Sequence, residues 1–288
     1  MAVVIKDLDG VATEVIHSAF VKAFEDYAEP LSLSLSQLQH MLQRRGYVPA
    51  MSFGAFDGGE IVGFILNGTG IWNGRRTAYD TGTATLQAYR QQGIARRIFD
   101  ESIPVLKRHG ISQYLLEVIK VNTNACDLYK KAGFEVVREL DYYVSPKEAI
   151  DVDEYGWKYG YEIKEITSPD WDLLRSFWDF EPSWQNGIEA MQRSPQVFRI
   201  MGVYDAAHQL VGYGIVEPAT GDVPQFAIAH DHRCAGLGKY LFHNLVAHIT
   251  SEQIKVINAD ATGAAFRHFV EGMGLMPGYG QYEMISGL

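Results

Sequence analysis

Residues Thr81–Arg97 carry the residue types of a phosphate-binding loop. Small, β-branched and apolar residues lead from Thr83 into the run Arg90–Ala95, which reads RQQGIA, and a helix is predicted to begin near Gly93. The N-terminus of a helix leaves several backbone N–H groups without partners and carries a partial positive charge. A phosphate can therefore bind there, and a glycine lets it approach the backbone closely. The loop pattern alone is weak, because a solvated loop before a helix looks the same.

A second block of residues follows the next apolar strand, Tyr114–Val118. It runs from Asn122 to Phe134 and reads NTNACDLYKKAGF. With both blocks in order and at the right spacing, the sequence resembles the GNAT family of N-acetyltransferases, whose acetyl-CoA loop reads R/Q-x-x-G-x-G/A. The resemblance implies an α/β architecture, the mixed α+β GNAT fold with a central mixed sheet. It also implies transfer of an acetyl group from acetyl-CoA, a co-substrate, to an amine without a metal.

The resemblance assigns the cofactor residues as well. The loop would hold the pyrophosphate, and the end of the preceding strand, which splays away from its neighbour in this family, would offer its backbone to the pantetheine arm. The pattern of that strand by itself indicates only an ordinary β-strand. Asn122 matches an asparagine that contacts CoA, and its place before a helix is equally that of an N-cap. The expected cofactor residues are Thr83, Ala84, Thr85, Arg90, Gln91, Gln92, Gly93, Ile94, Ala95, Arg96 and Asn122.

Two side chains are candidates for proton transfer. Tyr129 has a phenol with an ordinary pKa of about 10, and the matching tyrosine in the family is the usual acid that protonates the leaving thiolate. By pattern alone, Tyr129 lies on an apolar helix face and would be a core residue. Glu117 interrupts an apolar strand and matches a general base in several relatives, although an exposed strand position explains it equally well. Asp80 and Tyr142 or Tyr143 are weaker candidates for the acceptor side.

Hydrophobic periodicity predicts the elements that would position these residues. The helix after the loop contains Pro104, and a proline inside a helix costs ~3 kcal/mol, so a kink or a different start is expected. The family resemblance implies an acceptor pocket built from the first two helices with their loop, Tyr27–Ser36, and from the last strands. The predicted strands are 2–7, 51–56, 61–66, 76–86, 114–119 and 135–144, and the predicted helices are 11–27, 36–45, 93–109 and 122–132.

Length and composition limit the class of protein. The chain has 288 residues with a net charge of −10, so nucleic-acid binding is not expected and a cationic amine of a small molecule or peptide would suit it. No apolar run is long enough to span a membrane, and the N-terminus lacks a signal-peptide pattern. The two cysteines, Cys126 and Cys234, fall at unrelated places, so a reducing cytoplasm is expected. The oligomeric state is left open.

The pattern of the first half recurs in the second half. Gly54–Asp57 recurs as Gly202–Asp205, and the loop Arg90-x-x-Gly93-x-Ala95 recurs as Arg233-x-x-Gly236-x-Gly238. This self-similarity predicts two similar domains in tandem, and the family resemblance implies that each is acetyltransferase-like, with a splayed strand leading into a loop and helix. The predicted boundaries are 1–145 for a catalytic domain, 146–160 for a connector and 161–288 for a degenerate domain.

The second domain keeps the loop but not the chemistry. Val270, Gly263 and Asn258 stand where Tyr129, Asn122 and Glu117 stand in the first domain. Two other functions remain open: an active C-terminal domain with His230 or His232 as the base, and a non-catalytic acyl-CoA sensor. The histidines around Cys234 are too crowded for an ordinary zinc site.

Overall fold

In the computed structural model, which describes residues 3–26, 32–150 and 160–288, the chain divides into two units. Unit 1 contains Met1–Val118, Asn122–Val137 and Glu283–Leu288, and unit 2 contains Ile119–Val121 and Arg138–Tyr282. Most of the last strand thus belongs to unit 1, whereas residues 138–145, which the sequence assigned to the first domain, belong to unit 2. Residues 151–159 of the predicted connector lie outside the described residues.

In the first half of the chain, the helices and strands follow one another in the order that the sequence pattern predicts. Short 3₁₀ turns at 49–51, 87–89, 147–149, 184–186, 195–197 and 230–232 connect some of them. In chain order the elements are β1 (Val4–Asp7), α1 (Thr13–Phe24), α2 (Leu35–Arg45), β2 (Phe53–Asp57), β3 (Glu60–Trp72), β4 (Arg75–Thr85), α3 (Ile94–Arg108), β5 (Gln113–Ile119), α4 (Thr123–Lys131), β6 (Glu135–Pro146), β7 (Glu162–Glu165), α5 (Trp171–Arg175), α6 (Ile188–Arg193), β8 (Arg199–Tyr204), β9 (Leu210–Glu217), β10 (Asp222–Ile228), α7 (Leu237–His248), β11 (Gln253–Asp260), α8 (Ala264–Gly272), β12 (Met276–Pro277) and β13 (Gln281–Gly287).

Local residues explain several of these boundaries. Ser34 and Gln37 form a reciprocal capping box at the start of α2, and Gly46 ends the same helix in the left-handed conformation. Helix α3 runs through Pro104 without a break. Because Pro104 is exposed, the carbonyl that loses its helical hydrogen bond there can be hydrated.

Unit 1 is a mixed sheet with helices on both faces. The strand order is β1-β2-β3-β4-β5, followed by the part of β13 within unit 1, and neighbours are antiparallel except β4 and β5. Phe20 of α1 stacks near Phe64 of β3 at 6.0 Å on one face. Phe99 of α3 stacks on Tyr114 of β5 at 5.1 Å on the other. The apolar core therefore fills both sides of the strands that carry the candidate site.

Strands β4 and β5 separate along their length. They pair only where Thr77–Tyr79 faces Gln113–Leu115, although β4 continues to Thr85 and β5 to Ile119. A β-bulge at Thr81 interrupts the pairing of β4 with β3 at the same level. We call the gap beyond Tyr79 the β4–β5 opening; it is the splayed strand that the family resemblance implied.

Unit 2 repeats this design. Its strand order is β6-β11-β10-β9-β8-β7, with Arg138–Pro146 as its part of β6. Strands β10 and β11 are parallel and pair only at Asp222 and Lys255, so this sheet splays at the corresponding place. Helix α7 begins after Gly236, as α3 begins after Gly93. The sequence repeat therefore corresponds to a repeated fold. Within the described ranges, no helix is both long and apolar enough to cross a membrane.

Candidate active site

The loop before α3 has an open and strained backbone. Gly93 caps the helix with a φ of +72°, and Gln91 has a φ of +61°. A Cβ atom placed on Gly93 would meet no atom within 4 Å, so the space beside it is free. The first intrahelical bond runs from the Arg97 N–H to the Gly93 carbonyl. The N–H groups from Gln92 to Arg96 have no backbone acceptor within the described chain, which suits binding of an anion.

The side chain of Arg90 supports this loop from behind. Its guanidinium donates to both carboxylate oxygens of Asp26 at 2.5 and 2.6 Å, and to the carbonyls of Thr85 at 3.0 Å and Ala23 at 3.1 Å. The hydrogen bond with Arg90 lowers the pKa of Asp26 below its ordinary value. Arg90 was expected to bind the cofactor, but its side chain joins the end of β4 to the end of α1. A contact with a cofactor would come from its backbone.

Unit 2 builds its loop in the same way. Arg233 donates to the carboxylate of Asp179 at 2.9 and 3.0 Å, to the carbonyl of Ile228 at 2.7 Å and to that of Phe177 at 3.4 Å. The sequence did not single out Asp26 or Asp179, because each lies far along the chain from its arginine. In both units an aspartate and two backbone carbonyls hold the arginine of the loop, and this shared arrangement supports the sequence repeat independently.

The remaining cofactor candidates lie around the loop and at the β4–β5 opening. Thr83, Ala84 and Thr85 pair with β3 on one edge of β4, and the opposite edge has no strand partner within the described residues. Gln92 donates to the Ala88 carbonyl at 3.1 Å. Arg96 is half exposed and binds Asp100 at 2.9 Å. Ile94 is buried and anchors the helix, so a role for it at a phosphate is limited to its backbone.

Tyr129 lies at the β4–β5 opening and contacts Asp80. The Tyr129 hydroxyl donates to Oδ2 of Asp80 at 3.1 Å, and both side chains are buried. Asp80 also accepts from the Thr83 hydroxyl at 2.6 Å and from the Gly82 N–H at 2.9 Å. Burial raises the pKa of Asp80, and its hydrogen bonds and the positive charge of Arg45 oppose that rise. The sequence rated Asp80 a weaker candidate, and the signal was a carboxylate within a strand that is otherwise buried.

Glu117 pairs with a different residue of β4. Its Oε2 accepts a hydrogen bond of 2.7 Å from the hydroxyl of Tyr79, whose pKa is raised far above its ordinary value, chiefly by burial. Because consecutive residues of a strand point to opposite faces, Tyr79 and Asp80 lie on opposite sides of the sheet. The Tyr79–Glu117 pair and the Asp80–Tyr129 pair therefore lie on opposite faces at the β4–β5 opening.

Asn122 is the N-cap of α4, as one of its two interpretations predicted. Its Oδ1 accepts from the Ala125 N–H at 3.2 Å. This hydrogen bond satisfies one of the N–H groups that a helix start leaves without partners. A contact with CoA is compatible with this role but is not needed to explain the residue.

We expect Asn122→Ala to lower the free energy of unfolding by ~1 kcal/mol, because the cap of α4 is lost. Asn122→Asp keeps a capping oxygen and is the matched control; it should remain close to wild type. The measurement is urea unfolding followed by circular dichroism. Equal stability of Asn122→Ala and wild type would contradict the capping role.

The other candidates are distributed as follows. Tyr143 belongs to unit 2, and its hydroxyl donates to Oδ2 of Asp141 at 3.3 Å. Burial makes the largest contribution to raising the pKa of Tyr143 to about 12. His232 bonds the Tyr161 hydroxyl at 3.2 Å, and the described residues contain no cluster of possible metal ligands. Val270 is buried, and Asn258 has a φ of +59° at a β-bulge. Residues 27–31 of the expected acceptor pocket lie outside the described residues.

Comparisons with known proteins agree with this fold. The sequence profile of the Acetyltransferase (GNAT) family matches residues 13–134. The chain is 29% identical over 103 residues to N-alpha-acetyltransferase 30 of Schizosaccharomyces pombe. The aligned region covers 35% of this chain and 69% of that protein.

Solved structures extend the similarity to the whole chain. A tandem GNAT protein from the clavulanic acid biosynthesis pathway has a TM-score of 0.74 at 14% identity, with 99% of this chain and 98% of that chain covered. A GCN5-related N-acetyltransferase from Sphaerobacter thermophilus has a TM-score of 0.71 at 11% identity, with 99% and 95% covered. At these identities the similarity shows a shared fold.

Proposed function

We propose that the protein is an acyltransferase whose residues 13–134, which match the Acetyltransferase (GNAT) family, form the catalytic domain, and that it transfers the acetyl group of acetyl-CoA to an amine. The observation that carries this proposal is the open, glycine-capped loop at the end of β4, next to the β4–β5 opening where Tyr129 and Asp80 meet. The acceptor is an amine of a small molecule or a peptide. The S. pombe relative is named as an N-alpha-acetyltransferase, which favours a peptide α-amine as the first acceptor to test.

The residues of unit 1 fit acetyl-CoA, which would supply the acetyl thioester. Backbone N–H groups of Gln92–Arg96 would bind the pyrophosphate, and the space beside Gly93 allows a close approach. The unpaired edge of β4 at Thr83–Thr85 would bind the amides of the pantetheine arm. Asn122 would contribute beyond its capping role only if its amide also reaches the cofactor.

Two proton transfers complete the reaction. Glu117 would take a proton from the amine, because a neutral nitrogen is needed for attack on the thioester carbon. Tyr129 would give a proton to the leaving sulfur, for which a neutral phenol is suited. The two residues belong to pairs on opposite faces of the sheet, which allows base and acid to act from different sides of the β4–β5 opening.

A second location for the reaction is the C-terminal unit. Cofactor binding there is supported by the loop that Arg233 ties to Asp179 and by Gly236, which has a φ of +79°. Val270 and Asn258 oppose catalysis there, because a valine has no proton to give and an amide is no base. A non-catalytic acyl-CoA sensor is the alternative of another class, and turnover would exclude it.

The decisive experiment measures release of free CoA from acetyl-CoA with a panel of peptide α-amines, polyamines and amino sugars. The proposal expects turnover with at least one acceptor and detection of the acetylated amine by mass spectrometry. Cofactor binding without turnover across the panel would favour the sensor. A cytoplasmic location is part of the proposal and is supported by the free thiols of Cys126 and Cys234, which suit a reducing compartment.

Glu117→Gln is expected to lower kcat ~10²-fold, at the lower end of general-base effects, because some amine is already neutral at high pH. The loss should shrink as the assay pH rises, since hydroxide and free amine replace the base. The KM for acetyl-CoA should stay near wild type. A loss that is the same at every pH would argue against Glu117 as the base.

A further inference from the structure

Asp80 is a buried carboxylate in contact with the hydroxyl of Tyr129. Three donors surround it: the Tyr129 hydroxyl at 3.1 Å, the Thr83 hydroxyl at 2.6 Å and the Gly82 N–H at 2.9 Å. Asp80 is 7% exposed and lies next to the β-bulge at Thr81. A buried carboxylate is costly unless it is hydrogen-bonded, so its place beside the candidate acid needs a physical explanation.

An ionised Asp80 would hinder Tyr129 as an acid. The Tyr129 proton would be held by the carboxylate, and loss of that proton would leave two negative oxygens at 3.1 Å. A protonated Asp80 reverses the hydrogen bond without moving either oxygen, because it can donate to the Tyr129 oxygen. The Thr83 hydroxyl can rotate and accept or donate as needed.

The surroundings of Asp80 favour this protonated form in part. Burial raises the pKa of Asp80, while the guanidinium of Arg45 on α2 opposes the rise. The phenols of Tyr114 on β5 and Tyr129 on α4 face Asp80, whereas the Tyr79–Glu117 pair lies on the opposite face of the sheet. The phenols are neutral in the ordinary pH range. Asp80 therefore keeps its proton to higher pH than a free aspartate.

We propose that Asp80 is the proton-supplying partner of Tyr129 in acetyl transfer. This inference rests on the proposed function and deepens it. As the Tyr129 O–H bond breaks and the sulfur gains an S–H bond, the Asp80 O–H bond breaks and Tyr129 regains its proton. Asp80 ends as a carboxylate and recovers a proton from water after the products leave. Glu117 and Asp80 thus have opposite tasks, one taking a proton and the other giving one, as environments with different polarity allow.

The test is a double-mutant cycle between Asp80→Asn and Tyr129→Phe. The asparagine can hydrogen-bond to Tyr129 but cannot give it a proton. We expect Asp80→Asn to lower kcat ~10- to 100-fold in the wild-type background and less than ~2-fold in the Tyr129→Phe background, because coupled residues are not additive. The KM for acetyl-CoA should stay within ~2-fold, since the loop is untouched. Equal losses of kcat in both backgrounds, or no loss in either, would overturn the proposal.

Two further variants separate this role from a structural one. Tyr114→Phe removes a buried hydroxyl that bonds Asn67, in the same aromatic cluster as Tyr129, and should change kcat less than ~3-fold. Asp80→Ser is smaller, has no carboxyl group and replaces Asp80→Asn in the cycle if the asparagine variant does not fold. A loss with Tyr114→Phe as large as that with Asp80→Asn would indicate a structural role and refute proton supply.

The pH dependence gives a second, independent readout. Because the protonated form of Asp80 is the active one, kcat of the wild type should fall as pH rises through the raised pKa of Asp80, and Asp80→Asn should lack this fall. An unchanged fall in Asp80→Asn would refute the inference while leaving acetyl transfer intact. Absence of turnover by the wild type with every acceptor would instead refute the proposed function itself.

Discussion

Gly93→Trp is expected to abolish acetyl-CoA binding in titration calorimetry, with an affinity loss of at least ~10³-fold, or ~4 kcal/mol. The indole would occupy the free space beside Gly93, where a Cβ meets no protein atom within 4 Å. It would thereby exclude a phosphate from the N–H groups at the start of α3. The positive φ of +72° adds a strain of ~1–2 kcal/mol that any L-residue would meet there.

Two variants control for that strain. Gly93→Ala carries the same backbone strain without the bulk, so it should lose as much stability as Gly93→Trp but much less affinity. Gly236→Trp introduces a comparable strain in unit 2, where φ is +79°, and should leave binding unchanged. If Gly236→Trp abolishes binding and Gly93→Trp does not, the cofactor site lies in unit 2 and the C-terminal unit becomes the candidate enzyme.

Tyr129→Phe is expected to lower kcat ~10²- to 10⁴-fold, the range of general acid catalysis, with little change in acetyl-CoA affinity. The variant keeps the ring that packs against Phe99 and Phe134 at 6.5 and 5.7 Å and removes only the hydroxyl. Steady-state and single-turnover kinetics with the best acceptor measure the effect. A large loss of affinity with unchanged kcat would contradict the role of Tyr129 as the acid.

Tyr114→Phe is the matched control for this variant. Tyr114 lies in the same aromatic cluster, is fully buried and donates its hydroxyl to Asn67. Removing a buried hydroxyl from either tyrosine costs ~1–3 kcal/mol of stability by leaving a partner unsatisfied. The Tyr129 hydroxyl contacts Asp80 at the β4–β5 opening, whereas the Tyr114 hydroxyl bonds Asn67 of β3, so comparable stability with a selective loss of kcat in Tyr129→Phe would separate chemistry from packing.

Much of the fold could be predicted because local residues encode local backbone. Asp57–Glu60 closes the hairpin between β2 and β3 with positive φ values at both glycines. The helix predicted to begin near Gly93 begins directly after it, and Gly93 caps that helix in the left-handed conformation. The repeat of this loop at Gly236 is likewise visible in the sequence and in the structure. These features depend on a few neighbouring residues and can therefore be predicted without knowledge of the tertiary structure.

The domain boundaries show where local information ends. The sequence repeat predicts a division near residue 145, whereas Arg138–Tyr282 lies in unit 2 and Glu283–Leu288 in unit 1. The residue pattern of strand β6 would fit a strand in either unit. Its partners are chosen by pairing with distant strands, which the local pattern does not encode. The predicted boundaries thus describe where the sequence pattern repeats, whereas the compact units depend on which strands pair.

The sequence by itself determined the loop and the helix that follows it, because residue type and short spacing define them, and its resemblance to the GNAT family named Tyr129 and Glu117 as the candidate acid and base. Only the tertiary structure decided their partners. Tyr129 meets Asp80 across 49 positions, Tyr79 meets Glu117 across 38, and Arg90 meets Asp26 across 64. Strand register, the bulge at Thr81 and the separation of β4 from β5 bring these groups together. Such long-range geometry depends on how whole elements pack, and no local pattern of residue types contains it.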